Sequence, residues 1–128
     1  MCARQFVVTG EGRISIRDYT SGNRHKPSVD ELFSSLANCF GCRLIVTVLT
    51  GSLDDGAYGV TQVKARNGRV LVQEPRSAFA VGMPTAAIAT GCADFVLPVE
   101  RIADAIITFT MVPGASDLFL SPVNLAFA

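Results

Sequence analysis

The chain has 128 residues, eleven basic and eleven acidic side chains, 49% hydrophobic residues and a mean hydropathy of +0.38. That is enough chain for one domain with a core of its own. Zero formal charge, without aromatics interleaved among basic clusters, argues against nucleic acid as a partner. No apolar run reaches the roughly 18 residues a membrane span requires, and the first residues lack a signal-peptide core, so the cytoplasm is the expected location.

Gln5-Phe6-Val7-Val8-Thr9, Gly10-Glu11-Gly12 and Arg13-Ile14-Ser15-Ile16-Arg17 read as a β-hairpin. Its second arm alternates polar and apolar residues, which buries one face and wets the other. Beginning directly on a strand suggests that the natural start lies further upstream. Asp18 to Lys26 is a polar loop with the sole histidine, His25. Pro27-Ser28-Val29-Asp30-Glu31 has the composition of a helix start, with acidic residues where the helix dipole favours them. Val29, Leu32, Phe33, Leu36 and Phe40 then form one apolar stripe, expected to pack on the sheet before Gly41 stops the helix.

Leu44 to Leu49 is an apolar, β-branched run that turns at Gly51 through Asp54-Asp55 into a helix from about Gly56 to Arg66. Arg69-Val70-Leu71-Val72-Gln73 is a second buried strand. Two strands joined by one helix make a right-handed, parallel βαβ unit. Gly82-Met83-Pro84 opens a short helix through Ala89, Asp94 to Pro98 is a last strand, and Val99 to Ile107 a closing helix. The expected fold is α/β and Rossmann-like: a mostly parallel sheet with helices on both faces, preceded by the hairpin. Thr108 to Ala128, apolar and with Pro113 and Pro122, shows neither periodicity and is read as an atypical tail.

Asn23-Arg24-His25-Lys26-Pro27-Ser28-Val29-Asp30-Glu31-Leu32-Phe33 resembles a signature of the CheB-type protein-glutamate methylesterases of bacterial chemotaxis. Val48-Leu49-Thr50-Gly51 with Asp54-Asp55-Gly56-Ala57, then Val72-Gln73-Glu74-Pro75, Gly82-Met83-Pro84 with Ala87-Ile88 and Gly91, and Asp94 to Pro98 follow in the family's order. The likeness covers residues 6–107, which would be the C-terminal portion of the family's catalytic domain, without its N-terminal strands. It implies a serine esterase that hydrolyses glutamyl methyl esters on the cytoplasmic region of chemoreceptors, with glutamine deamidation in some members. It implies a Ser-His-Asp triad and, in regulated members, a receiver domain. No cofactor is implied.

On this resemblance Asp55 matches the triad aspartate, whose role is to hold the histidine's tautomer and stabilise the imidazolium. Gly51, Ser52, Gly82 and Met83 would line the substrate cleft. The family's serine and histidine precede the hairpin in the family's order, and this chain has no glycine-rich serine turn of that kind, so the isolated chain is expected to be inactive. Ser52-Leu53 stands where many members have Met-Gly.

Other readings of the same residues remain open. Asp55 or Asp54 could cap the helix that follows them, and the pair could bind magnesium, although no further acidic ligand is visible. An improvised Ser28–His25–Asp55 triad is disfavoured, since Ser28 suits a helix start. Cys39-x-x-Cys42 falls at a helix C-terminus, where the dipole opposes a thiolate, so buried or half-buried structural cysteines are expected there. Arg24, Lys26 and Arg43 could steer an acidic partner or merely solvate loops. Met83 could be a core residue. The alternatives to an esterase portion are a non-catalytic receptor- or partner-binding module and an inactive truncated fragment.

Overall fold

The computed structural model describes residues 4–18, 27–112 and 114. Strands β1 (Arg4–Val8) and β2 (Ile14–Asp18) pair antiparallel, with Phe6 opposite Ile16, as the alternating pattern requires. They form a sheet of their own. The second sheet is parallel and runs β3 (Ile45–Val48), β4 (Arg69–Gln73), β5 (Phe95–Leu97). β4 is central and buried at every position, which is why its sequence is nearly continuous in apolar residues rather than alternating. β3 is an outer strand: among the described residues, its only strand partner is β4.

Four helices flank this sheet: α1 (Val29–Phe40), α2 (Ala57–Ala65), α3 (Gly82–Ala89) and α4 (Val99–Met111). The core joins Val46 and Val48 of β3, Val70 and Val72 of β4, Val60 and Val63 of α2 and Ala87 of α3 with Phe33 and Ala37 of α1. Burying a valine or leucine fully is worth about 1.5–3 kcal/mol, so this cluster supplies much of the driving force for folding.

The apolar stripe of α1 does not pack mainly on the parallel sheet. The helix lies against α2 and β1. Phe33 and Ala37 reach the core, whereas Leu32, Leu36 and Phe40 line an apolar groove shared with Phe6, Val8 and Ile14 of the hairpin. The α1–α2 approach is close because residue 59 is glycine. A Cβ there would fall 2.8 Å from the Phe33 Cβ and 3.1 Å from the Asp30 Cα.

The closing helix also departs from expectation, running four residues past Ile107 to Met111. Thr108 and Thr110 donate their hydroxyls back to the carbonyls of Asp104 and Ile106, and Phe109 meets Phe95 with ring centroids 5.5 Å apart. The threonine hydroxyls are satisfied within the helix, and the aromatic contact anchors its last turns on β5. The rest of the tail, Pro113 and residues 115–128, lies outside the described residues.

Candidate functional site at the carboxyl edge of the parallel sheet

Parallel strands present their chemistry where they end, and β3 delivers residues 49–55 to that edge. Thr50 and Gly51 are stitched to the loop between β4 and α3. The Thr50 hydroxyl donates to the Ala80 carbonyl at 3.2 Å and accepts from the Ala80 N–H at 2.7 Å. The Gly51 N–H donates to the Ala80 carbonyl at 3.0 Å, and the Met83 N–H to the Gly51 carbonyl at 2.9 Å. Gln73, buried at the end of β4, accepts from the Thr50 N–H and donates to Ser77. Its amide thereby ties both loops to the strand that separates them.

Gly51, Ser52, Gly82 and Met83 come together in this cluster. Met83 lies directly over Gly51, so that a Cβ on Gly51 would overlap the Met83 sulfur. At Gly82 a Cβ would sit 2.6 Å from both the amide N and the carbonyl O of Leu53. Leu53 has φ +66°, a left-handed conformation that a leucine adopts at a cost and that a glycine in its place would not pay. Met83 also packs against the core, so the core reading of this side chain is satisfied by the structure.

Asp55 is 8% exposed, and its carboxylate turns away from its own helix. It caps α1 instead. The Val29 N–H donates to Oδ1 at 3.0 Å and Oδ2 at 2.9 Å, and the Asp30 N–H donates to Oδ1 at 3.2 Å. These amides begin a helix, where the macrodipole favours an anion. Asp30 returns the arrangement, accepting from the Gly59 N–H of α2 at 2.7 Å. The α1 N-terminus is thus held by an aspartate from the turn before α2, and the first turn of α2 by an aspartate of α1. The N-cap of α2 is Gly56, and the Ala57 N–H donates to the Asp54 backbone carbonyl.

The α1 N-terminus is itself held from the hairpin. Gln5, 2% exposed, accepts from the Ser28 N–H at 2.6 Å and donates to the Ser28 carbonyl at 2.8 Å. The Ser28 hydroxyl accepts from the Glu31 N–H at 3.3 Å, so Ser28 is the cap its sequence context suggests. Gln5 and Asp30 escape a sequence reading. Gln5 resembles any polar strand residue, and Asp30 any acidic first-turn residue. The faint signal is Gly59, whose missing side chain marks a close helix approach.

His25, Arg24, Lys26 and Cys2 lie outside the described residues. Arg43 stacks over the Phe40 ring, 5.7 Å from its centroid. Cys39 and Cys92 are half-buried and Cys42 is exposed, all three as free thiols; Cys42 therefore departs from the expected burial. Among the described residues no three His, Cys, Asp or Glu side chains gather as a metal site, and no helix is long and apolar enough to cross a membrane. A groove of about 690 Å³ runs between the hairpin and α1 and includes Asp30 and Tyr58 but not Asp55.

Against known proteins, the model of the CheB methylesterase family matches residues 3–106. A protein-glutamate methylesterase/protein-glutamine glutaminase of Rhizobium meliloti is 38% identical over 102 residues, 80% of this chain and 29% of the relative. One from Pseudomonas aeruginosa is 42% identical over 85 residues, 66% of this chain and 24% of the relative. The chain therefore spans less than a third of the length of these relatives. The crystal structure of the Thermotoga maritima CheB methylesterase catalytic domain superposes with a TM-score of 0.72 at 26% identity, covering 84% of this chain and 58% of that domain. With the α/β fold and the ordered motifs of the carboxyl edge in agreement, the chain belongs to the CheB methylesterase family.

Proposed function

We propose that this chain contributes the acid of a Ser-His-Asp triad to a chemotaxis-type protein-glutamate methylesterase. The reaction is hydrolysis of glutamyl methyl esters on the cytoplasmic region of chemoreceptors, with glutamine deamidation as its amide counterpart. The serine and histidine come from sequence outside residues 1–128. The observation that carries this reading is the carboxylate of Asp55, immobilised by the α1 amides at the carboxyl edge of the parallel sheet.

In such a triad the acid receives the Nδ1–H of histidine, fixes its tautomer and stabilises the imidazolium formed as serine attacks the ester carbonyl. Asp55 suits that task. Of its two oxygens, Oδ2 accepts one N–H, which leaves acceptor capacity for a histidine. A carboxylate fixed by backbone amides does not rotate to follow its partner, so the histidine is oriented rather than merely paired. Among the described residues β4 is the only strand partner of β3, so the outer side of β3 offers the segment bearing serine and histidine a place to join the sheet. A receiver domain as regulator and the cytoplasm as location complete the proposal.

The test is methanol release from methylated receptor. The chain alone is expected to release none. The chain preceded by the corresponding upstream segment of the Rhizobium meliloti relative is expected to release it, and Asp55→Asn to lower the rate by about 10⁴-fold. Release by the chain alone, abolished by Asp55→Ala, would overturn the division of the triad. The exposed apolar side chains Phe6, Ile14 and Ile16 of the hairpin favour, as a second reading, a non-catalytic receptor- or partner-binding module. That module would bind its partner regardless of Asp55→Ala and of any added segment.

A further inference from the structure

The apolar stripe of α1 is covered only in part. Leu36 and Phe40 line two adjoining grooves. One, about 380 Å³, lies between the start of β3 and α4, with Ile45, Ile106 and Thr110 in its wall. The other, about 410 Å³, continues onto the hairpin, where Phe6 is 49% and Ile14 73% exposed. Contiguous apolar exposure of this kind marks a contact surface. The last helix ends here: Thr110 is a wall residue, and α4 stops at Met111. Beyond Gly114, residues 115–128 bring Leu118, Phe119, Leu120, Val123, Leu125 and Phe127, with one charged side chain, Asp117. They lie past the residues matched by the family, 3–106, so the family's pattern assigns them nothing.

We propose that residues 115–128 are a strap that docks in cis along this double groove. Charge sets its register. Arg43, stacked over the Phe40 ring, is the one ionic side chain lining the first groove, and Asp117 is its counterpart in the strap. An extended chain covers about 3.3–3.6 Å per residue, so Asp117 can lie up to roughly 25 Å from Thr110, with Arg43 in the same groove wall. From Phe40 back to Leu32 the second groove follows about 12 Å of helix at 1.5 Å per residue. Leu118 to Ala128, roughly 35 Å when extended, is long enough to cover it and reach the hairpin. Tethering favours this occupant over a second copy. A short linker gives an effective concentration on the order of millimolar, far above a micromolar solution of separate chains. The inference is independent of the methylesterase reading, and methanol release does not bear on it.

The experiment follows chymotrypsin cleavage after Phe119 by mass spectrometry, in the full chain and in the free peptide 115–128. Every variant is normalised to the free peptide of its own sequence. The full chain is expected to be cleaved about tenfold more slowly than the peptide, since cleavage tracks the undocked fraction. Phe6→Ser with Ile14→Ser, at exposed positions, is expected to remove most of that protection. Arg43→Glu and Asp117→Lys are each expected to speed cleavage about threefold, the scale of an exposed ion pair, and together to restore the parent rate. Phe79→Ser, fully exposed on the loop after β4, is expected to be cleaved after Phe119 as the parent chain is. Equal rates in chain and peptide would overturn the proposal. So would a hairpin variant no faster than the parent, a Phe79→Ser chain as fast as the hairpin variant, or an exchanged ion pair that restores nothing. Protection lost on dilution would make a second copy the occupant and likewise overturn it.

Discussion

Asp55→Ala tests whether the proposed triad acid is also a structural cap. The carboxylate accepts the Val29 and Asp30 N–H groups at 2.9–3.2 Å from a position 8% exposed. Its removal deletes an N-cap, worth about 0.5–2 kcal/mol. It also removes an anion from a helix N-terminus, worth about 0.3–1 kcal/mol. Both figures describe the same amides and overlap, so they do not add fully. The two amides are part-buried, and water can replace some of what is lost. A destabilisation of about 2 kcal/mol follows for alanine. Asn keeps one acceptor oxygen without the charge, and about 1 kcal/mol follows for it. The assay is urea unfolding followed by far-ultraviolet circular dichroism, with the slope checked for constancy. Alanine and asparagine variants both within about 0.3 kcal/mol of the parent chain would refute the capping geometry and, with it, the claim that α1 orients the carboxylate.

Two further outcomes concern Gln5, in the same network, and the turn at Leu53. Gln5→Ala strips both backbone partners from Ser28 inside the protein and is expected to cost about 2–3 kcal/mol in urea unfolding, because buried polar groups are left unsatisfied. Leu53→Gly relieves a left-handed leucine, a gain of about 1–2 kcal/mol, against about 0.5–1 kcal/mol of added chain entropy. The variant is expected to melt slightly higher by differential scanning calorimetry, and a lower midpoint would contradict the strain at this turn.

Features with a local cause are the ones readable in the chain. Arg69–Gln73 is a strand because a β-branched run is bounded by Asn67-Gly68 and Glu74-Pro75, and Ser28 caps α1 because serine precedes an acidic first turn. The matched motifs identify the family for a related reason: they are short segments in which turn chemistry and side-chain identity coincide. Features set by tertiary contact are not readable in this way. Asp55 reads as the cap of the helix that follows it, yet its carboxylate serves α1, a choice made by how closely Gly59 lets the two helices approach. Gln5 looks like a polar residue on a strand, and only the packing of the hairpin against α1 turns it inward. The stripe of α1 shows that one face is buried but not which neighbour buries it. α2 and the hairpin do so in part, and part of the stripe lines an open apolar groove.

The proposed function turns on Asp55 and the loops around it. Asp55 is fixed at the edge, the loops beside it are stitched together, and among the described residues β3 pairs with β4 alone. The most direct measurement is methanol release from methylated receptor by this chain, alone and joined to the upstream segment of its Rhizobium meliloti relative. The account predicts none from the chain alone and Asp55-dependent release from the joined protein. Asp55-dependent release by the chain alone, or release from the joined protein that Asp55→Asn leaves unchanged, would contradict it.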